Sequence, residues 1–220
     1  MATDIRAVGS KTRTPAELTD ADALDRVVGR RWSCRRFLPE PLPRTEVYEV
    51  LEAARWAPSW RNGQPWRLHI VGGPAIDRFR AGLVERTSHG PRRQELVVPD
   101  TPGGPVAGAD AFDDPPSRVD LFGAPQIAIL TTTPAEAYRA LDCGMFLETF
   151  LLAAEARGIA SAVSATPTDL APFIRDFLGL GDDREVLLGV AFGRPDLANP
   201  ANRHRTNRMT VDQFATFIDA

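Results

Sequence analysis

Between Ala135 and Arg157 the apolar residues Leu141, Met145, Phe146, Leu147, Phe150, Leu151 and Leu152 nearly encircle a helix. Such a helix has little face to offer water, so it has to sit centrally with other elements packed around it. Gly158 supplies the stop. The remaining chain must provide the cover. At 220 residues, 43% of them hydrophobic, it is long enough for one well-buried core without a second domain.

Residues 1–20 are polar and aperiodic and read as a flexible arm, and residues 21–220 as a single domain. A short helix over Ala21–Gly29 would turn Leu24, Val27 and Val28 inward. Prolines at 39, 41 and 43 break any helix there, and Thr45 can cap the next one, which carries Val47, Val50, Leu51 and Ala54 and stops at Ala57-Pro58. Trp66–Val71 alternates like a half-buried strand, and Pro74 opens a helix bearing Ile76, Phe79 and Leu83. Residues 88–118 are rich in Pro, Gly and Asp and lack a period, which in a compact domain means a lid, a binding loop or a disordered excursion; we read them as a mobile lid. Gln126–Leu130, Ile159–Ser164 and Val186–Phe192 read as strands and Thr168–Leu178 as a helix. Residues 194–208 are polar and extended. Thr210-Val211-Asp212-Gln213 then fits a capping box opening a terminal amphipathic helix with Phe214 and Phe217 on one face. Helices and strands alternate irregularly, which points to an α+β sandwich with helices on a mostly antiparallel sheet.

Composition excludes several functions. A net charge of −3 gives no positive field to draw the chain onto nucleic acid or an anionic membrane. No run of about 18 apolar residues suggests a membrane span. Cys34 and Cys143 are too few for a disulfide framework and lack zinc-site spacing, which suits a reducing compartment and a soluble cytoplasmic protein.

Three polar segments carry candidate chemistry. In Arg31-Trp32-Ser33-Cys34-Arg35-Arg36-Phe37, an extended backbone puts Arg31, Ser33 and Arg35 on one side, a donor set for a phosphorylated ligand. A solvated basic turn is the alternative. In Ala57-Pro58-Ser59-Trp60-Arg61-Asn62-Gly63-Gln64-Pro65-Trp66, the amides match the edge of a pyrimidine-like ring and aromatic side chains can stack on its face. A structural turn built on Asn62-Gly63 competes with that reading. The third segment, residues 202–208, can bring Arg205 and Arg208 to the same phosphate or remain an exposed tail.

The runs RWSCRRF, APSWRNGQPW, DCGMFLETFLLAAEARGI and FGRPD with NRHRTNR resemble the ordered motifs of the nitroreductase family, from about Arg30 to Phe214. The resemblance implies a three-layer α/β/α sandwich with a mostly antiparallel sheet and an intertwined homodimer. Two FMN molecules would lie in the interface, and residues 194–220 would pack on the partner. It implies that Arg31, Ser33 and Arg35, with Trp32 beside them, hold the FMN phosphate and ring edge, joined by Arg205 and Arg208. Pro58, Ser59, Asn62 and Gln64 match the loop that reaches FMN, partly from the other subunit, with Trp60 among them. Ser164, Ala165 and Thr166 fall where the family lays backbone over the flavin's reactive edge.

The implied activity is a ping-pong oxidoreductase. NADH or NADPH gives a hydride and leaves, and a nitroaromatic, quinone or related small acceptor takes its place. No Gly-x-Gly-x-x-Gly follows a strand, in keeping with a nicotinamide held only transiently. The cofactor would carry the chemistry, so no catalytic acid or base is expected; Arg35 is the candidate to stabilise charge on the reduced ring. Thr166-Pro167 stands where some members have an acidic residue and glycine, so a hydroxyl beside flavin N5 would shift the balance between one-electron and two-electron chemistry. Bulky Trp60 and Arg61 replace residues that are commonly small, and Glu148 replaces a common glutamine. Rival readings are a reductive dehalogenase or cofactor-biosynthesis enzyme of the same fold, and a non-catalytic FMN-storage protein.

Overall fold

The computed structural model describes residues 19–89, 121–134, 138–164 and 170–218. Four strands, β1 (Arg67–Gly72), β2 (Gln126–Thr132), β3 (Ala160–Ser164) and β4 (Glu185–Gly193), form an antiparallel sheet in the order β1-β2-β4-β3. Around it stand helices α1 (Asp20–Arg30), α2 (Arg44–Ala54), α3 (Pro74–His89), α4 (Arg139–Ala156), α5 (Ala171–Leu178) and the short α6 (Val211–Phe214).

β2 lies inside the sheet, and all seven of its residues are buried. Its side chains alternate between two helical layers, as a strand must direct them. Ala128 and Leu130, with Val190 and Phe192 of β4, meet Val47 and Val50 of α2 and Phe146 and Phe150 of α4. Ile127 and Ile129, with Ala191, meet Ile76, Phe79 and Leu83 of α3 and Ile174 of α5. The result is a three-layer α/β/α sandwich. A register shift between Leu130 and Thr131 skips Leu187 on β4, and the extra residue brings Val186 to the same face as Ala191. Trp66 stacks on Phe146 with centroids 4.8 Å apart, and Phe150 meets Phe192 edge-on at 6.0 Å.

α4 is the expected central helix, but its burial is one-sided. Cys143, Phe146, Phe150 and Leu151 are buried, Met145, Leu147 and Leu152 are half-buried, and Leu141 is 63% exposed. Within one chain, α2 and the sheet cover only part of its apolar perimeter. Gly158 ends the helix at φ +66°, which frees the Ile159 N–H to donate to the Ala154 carbonyl.

Other expectations need correction. α1 begins at Asp20, one residue inside the expected arm, and Leu24 and Val28 are exposed on it, because no described element of the same chain covers that face. Thr45 lies inside the first turn of α2, whose N-cap is Pro43 with no side-chain bond. α3 runs through His89, past the expected start of the lid, and the remainder of that segment up to residue 118 lies outside the described residues. The terminal capping box exists, with the Thr210 N–H donating to Gln213 Oε1 at 2.8 Å, but the helix stops at Phe214, leaving Phe217 beyond it and exposed. No described helix is long and apolar enough to cross a membrane.

α3 and α5 approach closely at Gly82, where an added Cβ would fall 2.3 Å from Cζ of Phe173. Gly82→Ala should therefore destabilise the fold by about 1–3 kcal/mol through overpacking. Phe173→Leu in the same background should restore part of the loss, as read by urea denaturation.

Candidate functional site

The segment Arg31–Phe37 is tied down by two isolated bridges with a bend at Arg35, so the expected alternation holds only in part: Arg31, Ser33 and Arg35 share one side, and Trp32 joins them. Ser33 bridges Ser161 of β3 in parallel, Phe37 bridges Pro195 in antiparallel, and the Cys34 N–H donates to the Ser161 carbonyl at 2.9 Å. Cys34 and Phe37 are buried, which anchors the segment and turns its polar residues the other way. The Cys34 thiol is no nucleophile at neutral pH: burial pushes it up to about 11 despite hydrogen bonds to the Arg36 carbonyl and Asn202.

Those polar residues line an open cavity of about 920 Å³. Arg31, Trp32, Ser33 and Arg35 form one wall, Arg205 and Arg208 another, and Arg30, Glu148, Glu155 and His204 also contribute. Five arginines face two glutamates there, so the cavity favours an anion. Three of its guanidinium groups, those of Arg205, Arg35 and Arg208, rest on neighbouring rings or bond to neighbouring oxygens. Arg205 sits 4.0 Å from the Trp32 ring centroid and donates through Nη1 to the carbonyls of Asn202 and His204, both at 2.8 Å. Arg35 lies over the Phe122 ring at 5.1 Å. Arg208 donates to the Asn207 carbonyl at 2.9 Å and to the Thr206 hydroxyl.

Asn202 makes this arrangement possible, and the sequence offered little to single it out. Its side chain is buried, 3% exposed. Oδ1 accepts from the Arg35 and Arg36 N–H groups at 2.8 and 3.2 Å, and Nδ2 donates to the carbonyls of Arg36 and Asp196 at 2.7 and 2.8 Å. The nearest signal is the preceding turn, in which Asn199 caps Pro200–Asn202.

Glu155 was also missed. It pairs with Arg30 at 3.5 Å, yet its carboxyl lies above the ordinary value, because burial outweighs the pull of Arg30, Arg31 and Arg205. Glu148 is exposed on the cavity wall, so it has no need of a buried partner.

The second expected segment is held elsewhere. Residues 58–64 pack on the start of α4: the Trp60 N–H donates to Oδ1 of Asp142 at 3.0 Å, and the Trp60 ring lies 5.2 Å from that of Tyr138. Ser59 Oγ accepts from the Gln64 N–H at 3.1 Å, and Gln64 Nε2 donates to Asn62 Oδ1 at 3.0 Å. Arg61, Asn62 and Gln64 all have positive φ, a strained turn of the kind found at binding sites. Pro58, Asn62 and Gln64 are exposed, Ser59 is half-buried, and none of the loop lines the arginine cavity. From Asp142 to Glu155, α4 rises about 20 Å. A single chain thus gathers Arg31, Trp32, Ser33, Arg35, Arg205 and Arg208 and leaves Pro58, Ser59, Trp60, Asn62 and Gln64 apart. Ser164 is buried at the end of β3, while Ala165 and Thr166 lie outside the described residues.

The family model for the nitroreductase family matches residues 28–194, and the chain belongs to that family. A 4-nitrobenzoate reductase from Pseudomonas putida is 31% identical over 219 residues, covering 90% of this chain and 96% of the relative. The nitroreductase NfnB of Mycolicibacterium smegmatis is 31% identical over 221 residues, covering 90% and 93%. The crystal structure of the FMN-dependent nitroreductase NfnB from Mycobacterium smegmatis in complex with NADPH superposes with a TM-score of 0.77 at 27% identity, over 90% of this chain and 99% of that one.

Two outcomes follow from the geometry. Asn202→Ala leaves two backbone N–H groups and two carbonyls without that partner and should cost about 3 kcal/mol of unfolding free energy. Glu155, raised in the folded state, binds its proton more tightly there than in the unfolded chain, so ionisation weighs against folding as pH climbs above the ordinary 4.5. Glu155→Gln should accordingly gain stability relative to the parent between pH 4 and pH 7. Urea titrations of the cofactor-free protein across that range would show a flat difference if the reasoning is wrong.

Proposed function

We propose that the chain is an FMN-dependent NAD(P)H oxidoreductase that passes reducing equivalents to nitroaromatic, quinone or related small acceptors, one substrate replacing the other in a single pocket. The observation that carries this reading is the convergence of Arg31, Arg35, Arg205 and Arg208 on one cavity beside Trp32 and Ser33. That donor set fits a phosphorylated heterocycle: guanidinium groups for the phosphate, a hydroxyl for a further bond, an aromatic ring alongside. Support comes from relatives that reduce nitrobenzoate and from a neighbouring structure that is FMN-dependent and was solved with NADPH.

FMN, when bound, would accept a hydride from the nicotinamide and release electrons to the acceptor. The chain's own residues would do the rest. Arg205, fixed by Trp32 and two carbonyls, would hold the phosphate with Arg31, Arg35 and Arg208. Arg35 would offset negative charge on the ring. Pro58, Ser59, Trp60, Asn62 and Gln64 would close the site from a second copy of the chain, since within one copy they sit at the other end of α4. Exposed apolar residues suit such an assembly: Leu24 and Val28 on α1, and Phe214, Phe217 and Ile218 in the C-terminal extension. In this reading residues 21–220 are one FMN-binding domain, and residues 194–220 reach onto the partner.

The test is a purified chain measured by light scattering and visible absorbance, then mixed with NADH or NADPH before an acceptor is added. A yellow dimer bleached by a reduced nicotinamide and recoloured by a nitroaromatic is expected. A colourless monomer that takes up no FMN would end the proposal, and bound FMN without turnover would favour storage. Arg205→Ala should weaken FMN at least tenfold while weakening riboflavin, which lacks the phosphate, much less.

A further inference from the structure

Resting on the reading of residues 58–64 as part of the acceptor pocket, we propose that Trp60, Tyr138 and Arg61 form a shelf selecting aromatic acceptors that carry a carboxylate. Trp60 is 57% exposed and Tyr138 51%, a large aromatic surface for a polar loop to leave uncovered. It is also held in place. The rings meet at 5.2 Å and 50°, and the Trp60 backbone is tied to Asp142, whose side chain is only 2% exposed.

Arg61 supplies the charge. Its backbone stands at φ +49°, a conformation a non-glycine residue adopts at a cost, and its guanidinium lies 5.3 Å from the Trp60 centroid. Among the described residues Arg61 has no carboxylate partner, whereas nearby Arg139 is held by Glu185 at 2.8 Å and Asp142 accepts from the Trp60 amide. A fixed aromatic surface next to a guanidinium with no carboxylate partner among the described residues recognises a flat ring and an anion at once. The ring of a substituted benzoate would stack on the aromatic surface while its carboxylate accepts from the guanidinium, a pair of contacts a neutral nitroarene can satisfy only in part.

The experiment compares 4-nitrobenzoate with 4-nitrobenzamide on the FMN-loaded protein, using Arg61→Asn, because asparagine tolerates positive φ, and Arg61→Lys, which keeps the charge. The ratio of kcat/KM for the anion over the amide should fall about tenfold in Arg61→Asn, carried by KM for the anion, and should be largely kept in Arg61→Lys. Raising ionic strength should lower the parent's ratio in the same direction. Flavin content and bleaching by reduced nicotinamide report separately on the proposed function. Benzoate binding followed by tryptophan quenching needs no turnover, and weaker benzoate binding in Arg61→Asn than in the parent supports the shelf. An unchanged ratio or unchanged benzoate binding in Arg61→Asn overturns the shelf, as does an equal loss in Arg61→Lys.

Discussion

The buried amide of Asn202 is the joint on which the arginine cavity depends. It reaches 166 positions back along the chain to Arg36 and ties that residue's backbone to the carbonyl of Asp196. A buried polar group left unpaired costs about 1–3 kcal/mol, so several at one joint are a large fraction of a stability that totals about 5–15 kcal/mol. Exposed pairs such as Arg55 with Glu52 contribute about 0–1 kcal/mol and cannot compete. The same residue's carbonyl also receives Arg205, so the joint that closes the fold sets the spacing of the cations.

Much of the framework was legible because it is written in period. The unbroken apolar run of β2, the alternation after Trp66 and the helical spacing of Val47, Val50 and Ala54 each specify an element locally. The grouping of Arg31, Ser33 and Arg35 was legible for the same reason, but the bend at Arg35 and the turn of Trp32 onto the same cavity were not. Asn202 was not: an asparagine in a polar run looks like a turn residue, and its importance arises only from a partner far away in sequence. α1 shows another limit. Leu24 and Val28 announce a face that wants cover, but a pattern does not say what covers it, and within one chain nothing described does. Phe217 fell outside its helix because a capping box fixes where a helix starts and leaves its length to packing.

Within the cavity, attraction and restraint are balanced. Stacking on Trp32 and bonds to two carbonyls hold the Arg205 guanidinium before any ligand arrives, which lowers the ordering cost of binding. Glu155 tempers the positive field from a position where its own ionisation is disfavoured. Cys34, directly behind the cations, remains a protonated, inert filler.

The rise of α4 between the Asp142 end and the Glu155 end has a genetic consequence if two copies pair as proposed. Each complete pocket then draws its loop from one subunit and its guanidinium groups from the other. A mixed dimer joining a loop-defective subunit to an arginine-defective one would hold one wholly intact pocket beside one doubly damaged pocket. Two inactive alleles of this chain, expressed together, would complement each other.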